Sequence, residues 1–222
     1  MTLRSLTPRL RLVAALVTLV ALSSGCTNAY YSAMEQIGQH KRDILRSRIE
    51  AGQEDQQEAQ EQIKSTYERF KEAARYDGGD FERVYNELND EYEAAQSRAD
   101  DVSSRIESIE QVAADLFDEW QEETALYSSD ALKRESEKSL RDTKRRYEKL
   151  IAAMKRAESK MPPVLNAFRD QVLFMKHSLN ARAIAALEGT VGEIESDVAS
   201  LIRDIDASIR EAESFLDQFE SS

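Results

Sequence analysis

The sequence predicts an all-α fold: an elongated antiparallel coiled-coil helical bundle of three to four long helices, preceded by a signal peptide. Three observations point there. Of 222 residues only 3 are Pro and 7 Gly, while 32% are charged, a composition suited to long solvated helices. Apolar residues recur at alternating steps of three and four, the spacing of a narrow helical seam. Two short polar turns separate the longest of these stretches, and short turns make successive helices antiparallel.

The first 25 residues have another purpose. Arg4, Arg9 and Arg11 give a positive start, and "LVAALVTLVAL" (residues 12–22) is an apolar run broken by one Thr. Small residues Ser23, Ser24 and Gly25 follow. That order describes a secretory signal, and the run is shorter than the roughly 20 residues of a membrane-spanning helix. Its end, "LSSGC", resembles the lipobox of bacterial lipoproteins, in which a peptidase cuts before the Cys and the sulfur receives diacylglycerol. Ser23 stands where the usual pattern has Leu, and Leu22 lies one place further back. The expected order is therefore a lipoprotein signal over residues 1–25, lipidated Cys26 with a short tether over residues 26–29, and a helical domain over residues 30–222. Ordinary cleavage nearby with a free Cys26, or an uncleaved anchor, are the competing readings. By resemblance to known lipoprotein sorting, Thr27 rather than Asp after the Cys implies the outer membrane over the inner.

Helices are expected at about residues 30–76, 81–127, 131–161 and 164–219. "DGGD" (residues 77–80) ends the first, and Asp80 can cap the second. "SSD" (residues 128–130) separates the second from the third. Pro162 and Pro163 interrupt the path after the third, since Pro lacks an amide donor and restricts the residue before it. Within the second helix, Ala95, Ala99, Val102, Ile106, Ile109, Ala113, Leu116 and Trp120 alternate steps of four and three. Leu140, Thr143, Tyr147, Leu150, Met154, Ala157 and Met161 form the seam of the third, and Leu187, Val191, Ile194, Val198, Leu201 and Ile205 that of the last.

Folding the second helix back on the first sets Leu88 near Tyr67, Ile106 near Ile49 and Trp120 near Ile37. Folding the third on the second sets Leu116 near Leu140, Ile106 near Leu150 and Ala99 near Ala157. "EAGQEDQQE" (residues 50–58) then faces small Ala95 and Ala99, which predicts a thin, loosely packed waist. In this arrangement Cys26 shares an end with the Ser128–Ser129 turn, and the Gly78–Gly79 turn points away from the membrane.

Charge supports the pairing. Residues 80–127 hold 15 acidic and 3 basic side chains, and residues 130–160 hold 11 basic and 6 acidic ones. The basic cluster "KSLRDTKRRYEK" (residues 138–149) complements the acidic helix or offers a membrane patch. The formal net charge of −12 argues against nucleic acid, whose binding needs a basic stripe to displace counterions.

Two stretches carry a family resemblance: "AYYSAMEQIGQHKRDILRSRIE" (residues 29–50) and "MPPVLNAFRDQVLFMKHSLNARAIAAL" (residues 161–187). They resemble an uncharacterised bacterial lipoprotein family, Domain of Unknown Function 2959, over essentially the whole chain from Ala29 to Phe219. The resemblance implies a helical, periplasm-facing, Gram-negative lipoprotein, and no reaction, ligand or partner. The second stretch contains "VLFM" (residues 172–175), four apolar residues that cover more than one helix face. It is expected to form the core of the bundle, with the arm beyond Gly189 mediating self-association.

Motifs of catalysis are missing. The seven glycines are too scattered for a nucleophile elbow, a dinucleotide-binding loop or a phosphate-binding loop. A carboxylate-bridged metal site in a bundle needs Glu three residues before His, but His40 follows Ile37 and His177 follows Phe174. "HKRD" (residues 40–43) reads as a solvated face or a headgroup contact near the anchored end. The expectation is a non-enzyme without cofactor or metal, whose single modified residue is Cys26. Its role would be to scaffold or space the envelope, or to bind a protein partner or a second copy through the coiled coil. The alternative is a membrane-surface or membrane-shaping protein using the basic third helix.

Overall fold

The computed structural model describes residues 41–220, and Cys26, Ile37, His40 and the signal segment lie outside them. Every regular element among the described residues is helical: α1 (Lys41–Ala73), α2 (Phe81–Ala125), α3 (Asp130–Ser159), α4 (Met161–His177) and α5 (Ala181–Glu220). The chain divides into compact units at Ile44 and Leu45. The first four residues of α1 belong to the first unit, and the packing below concerns the second.

Local chemistry sets the ends of the elements. Asp80 accepts a bond from the Arg83 amide and caps α2, and Ser129 does the same for α3 through Leu132. Pro162 and Pro163 fall in the first turn of α4, where amides have no acceptor within the helix. Only Lys160, itself in right-handed helical conformation, separates α3 from α4.

Side-chain contacts give the topology. Asp55 of α1 meets Arg105 of α2 at 2.6 Å, and the Thr66 hydroxyl bonds the Glu91 carbonyl at 3.1 Å. Residue numbers fall on one helix as they rise on the other, so α1 and α2 are antiparallel. Trp120 of α2 donates to Ser136 of α3 at 3.0 Å, and Ala99 shares a cleft with Met161 and Pro162. Thus α3 and α4 run in succession back along α2. Gln171 of α4 donates to Thr190 of α5, and Lys160 pairs with Asp204. Gln60 of α1 reaches Asp206 at 2.6 Å, and Gln53 the Ile209 carbonyl at 3.2 Å. The result is an antiparallel four-helix bundle whose third member is α3 plus α4. Its core runs through Ile49, Ile63, Leu88, Ile106, Leu150, Met154, Phe168, Leu201 and Ile205, all nearly sealed from solvent. Between α1 and α2, and between α2 and α3, the expected registers agree with these contacts.

Two expectations need correction. The helix expected over residues 164–219 is two helices, broken at residues 178–180; it starts three residues earlier, and Gly189 and Gly192 lie inside α5 without interrupting it. The waist is not loose. Ala59 and Ala95 are sealed, and a Cβ placed on Gly52 would sit 2.9 Å from Met154 Cε and 3.0 Å from Ile109 Cδ1. Glycine there lets α1 approach side chains from two other helices. The arm beyond Gly189 folds back along α4, α3 and α1. Its Ile194, Val198, Leu201, Ile205, Ala212 and Phe215 are buried within the chain. Of "VLFM", Val172 and Met175 face inward, whereas Leu173 and Phe174 are exposed.

Candidate functional site

Cys26, the one residue to which the sequence assigns a modification, lies outside the described residues, and so does His40. His177, the other histidine, is exposed at the end of α4. Among the described residues no three His, Cys, Asp or Glu side chains are grouped to hold a metal ion. No described helix is long and apolar enough to cross a membrane.

The surface clefts are shallow grooves between neighbouring helices. One lies by the α1–α2 turn, between Arg69, Tyr76, Arg83 and Glu87. The groups that line it bond one another: Arg83 pairs with Glu87 at 2.6 Å and lies over the Tyr76 ring, whose hydroxyl accepts the Asp80 amide. That pairing with Glu87 holds the Arg83 guanidinium above its ordinary pKa. A second groove, where α2 meets the start of α3, is lined by Thr124, Lys133, Leu140, Arg141 and Lys144.

The groups with shifted protonation move away from neutrality. Burial, and then the nearby Glu110 charge, push the Tyr147 phenol well up. Burial also raises Tyr67, with Glu195 adding to it. Both remain protonated across the physiological range, unlike a general base, which works with a pKa near the operating pH.

The basic cluster of residues 138–149 meets α2 in part and bonds along its own helix in part. Lys144 lies 5.4 Å from the Phe117 ring centroid, but Arg145 pairs along its own helix with Asp142. An ion pair crosses from α3 to α2 between Lys155 and Glu110, outside the cluster. Lys138, Arg141, Arg145 and Lys149 are exposed.

Sequence reading missed two features. Gln53, Gln56 and Gln60 point toward α5 or the interior, in a stretch expected only to face the small Ala95 and Ala99 of α2. Gln60 bonds the Ile202 carbonyl and Asp206, while both amide atoms of sealed Gln56 lack a partner among the described residues. Glutamines four and seven residues apart share a helix face, which was the available signal. The second is a pair of exposed apolar tips: Leu126, Tyr127 and Leu132 at the α2–α3 turn, and Leu173, Phe174 and Leu179 at the α4–α5 turn.

These features describe an all-helical bundle with side chains clustered for packing. The family described as "Protein of unknown function (DUF2959)" matches residues 30–219, and the chain belongs to it. No curated protein and no solved structure matches.

Proposed function

We propose that this protein is a lipid-anchored, periplasm-facing lipoprotein that scaffolds or spaces the bacterial envelope by binding a partner, and is not an enzyme. The observation that carries the reading is "LSSGC" directly after a charged start and a short apolar run. Signal cleavage before Cys26 would leave a chain that starts with lipid, held firmly when several acyl chains insert together. The outer membrane fits Thr27 in the following position. Narrow seams of three and four along α2, α3 and α5 support coiled-coil packing within the bundle. A bundle whose described clefts are open grooves between helices, one of them walled by its own Arg83–Glu87 pair, suits spacing better than enclosing a substrate.

A photo-crosslinking residue placed on the exposed face of α2 in intact envelopes tests the proposal. Discrete crosslinked species that disappear in a Cys26→Ser strain are the expected result. A hydrolytic activity that tracks the purified chain would overturn it.

The exposed cations of α3 favour a second reading, contact with a membrane surface through Lys138, Arg141, Arg145 and Lys149. Under that reading, Arg141→Gln with Lys149→Gln weakens salt-sensitive binding to anionic vesicles. Unchanged binding would remove it.

A further inference from the structure

The bundle exposes apolar side chains at a turn on each end, and these two turns differ in charge. At the α2–α3 turn, Leu126 is 82% exposed and Leu132 58%. Between positions 122 and 138 that tip carries five acidic and three basic side chains. At the α4–α5 turn, Leu173, Phe174 and Leu179 are exposed. Between positions 161 and 187 the only acidic residue is Asp170, against Arg169, Lys176 and Arg182. In a chain of net charge −12 this is a local reversal of sign.

Asp170 lies beside Arg169 at 3.7 Å. Lys176, His177 and Arg182 are exposed on either side of the turn, without an ion pair to any described carboxylate. Because α1 runs parallel to α4, with Phe70 on Phe168, the α1–α2 turn lies at the same end of the bundle. That neighbouring turn is itself acidic, with Asp77, Asp80, Glu82 and Glu87 against Arg75 and Arg83, so the basic character belongs to the α4–α5 turn alone. Asp80 caps the Arg83 amide and Arg83 pairs with Glu87, while Arg75, Asp77 and Glu82 complete the set.

We infer that the α4–α5 turn is a contact site for an anionic lipid surface. Leu173, Phe174 and Leu179 enter the boundary between headgroups and acyl chains. Lys176 and Arg182 meet lipid phosphates. Aromatic and aliphatic side chains ringed by Lys and Arg have the composition of interfacial membrane segments, and each cation near an anionic surface adds to partition. A membrane supplies the low dielectric the exposed apolar groups lack and the negative charge the cations lack. The acidic tip at Leu126 offers apolar surface with the wrong sign. The inference does not depend on the Cys26 anchor, and it places lipid contact on a different element from the α3 face.

The only tryptophan, Trp120, allows a test by position. The full chain carries Cys26→Ser and Trp120→Phe, and a single reporter is introduced as Phe174→Trp or, in parallel, Leu179→Trp. On vesicles of brominated phosphatidylglycerol, both reporters are expected to shift to the blue and be quenched at low salt. The effect is lost at high salt and on phosphatidylcholine vesicles. Lys176→Gln and Arg182→Gln each weaken partition about fivefold, and Leu132→Trp, the reporter on the acidic tip, is not quenched.

Equal quenching of the Leu132→Trp and Phe174→Trp reporters would overturn the inference, since it would mean unspecific adhesion or attachment through the leader. Absence of quenching at both hairpin positions would do so too. A reporter that responds to polyglutamate but not to vesicles would assign the tip to an acidic protein instead. Loss of binding through Arg141→Gln and Lys149→Gln, with no effect of Lys176→Gln and Arg182→Gln, would leave the α3 reading standing and remove this one.

Discussion

Phe70 of α1 and Phe168 of α4 face each other across the interior, ring centroids 4.7 Å apart and planes inclined at 36°. They join helices that are not neighbours in sequence, and both rings are almost wholly buried. Phe168→Ala removes this contact and leaves a cavity, so it is expected to lower the unfolding free energy by about 3–5 kcal/mol in urea titrations. A loss no larger than that from exposed Leu126→Ala would contradict the central packing.

Glycines of this chain differ in their surroundings. Around Gly52 the nearest atoms are the far ends of Met154 and Ile109, which can yield to one methyl group. Gly52→Ala should be neutral within about 1 kcal/mol, helix propensity offsetting the crowding. Gly52→Leu should destabilise by about 1–3 kcal/mol or more, because no rearrangement of side-chain ends admits it. At Gly189 and Gly192, inside α5, an added Cβ meets nothing within 4 Å. Alanine there should stabilise by about 1 kcal/mol per site. Thermal melts of the single variants check all three, and a lower Tm for Gly189→Ala would contradict an uninterrupted α5.

Gln56 is sealed from solvent with both ends of its amide unpaired among the described residues. Gln56→Met keeps much of its shape and removes the unsatisfied groups, which predicts a gain of about 1–3 kcal/mol. Gln60→Met should have the opposite sign, since that amide bonds Asp206, the Ile202 carbonyl and Lys64. Paired urea titrations decide it: equal signs would mean that the two glutamines are not distinguished by their bonding.

The register between helices was legible because the turns are short and the seams unambiguous. The Gly78–Gly79 turn and the apolar stripes alone set Leu88 opposite Tyr67, and Glu91 indeed meets Thr66 while Arg98 meets Glu58. The turn at residues 178–180 was hidden by a coincidence of spacing. Met175, Leu179 and Ala183 step by four, so a continuous helix would carry Leu179 as a core residue. In the structure it is 45% exposed, and Asn180 accepts the Arg182 amide instead. Waist packing was misjudged because it depends on Met154 reaching Gly52 from a third helix, and pairwise registers do not contain a third helix. The modification proposed at Cys26 rests on the signal pattern alone, and Cys26 lies outside the described residues. The exposed tips could not be read, since Leu173 and Phe174 look the same in sequence as buried Val172 and Met175.

Alkaline pH should loosen the bundle through Tyr147. Its phenol packs edge-on against Phe117 at 5.4 Å, and burial raises its pKa above the ordinary 10.0. A raised folded-state pKa contributes stability that is complete below the unfolded-state value and is lost as pH rises beyond it. Unfolding free energy should therefore decline above about pH 10, and Tyr147→Phe should flatten that decline. An identical slope in the two proteins would contradict burial of the phenol.

Anchoring of this protein turns on Cys26, and mass spectrometry of the mature protein from membranes tests it most directly. The predicted result is a chain that begins at Cys26 and carries diacylglycerol on its sulfur. With Cys26→Ser that mass is absent, the protein leaves the membrane fraction, and its helicity is unchanged. A mature chain with an unmodified Cys26, or unaltered membrane fractionation of Cys26→Ser, would contradict the anchor.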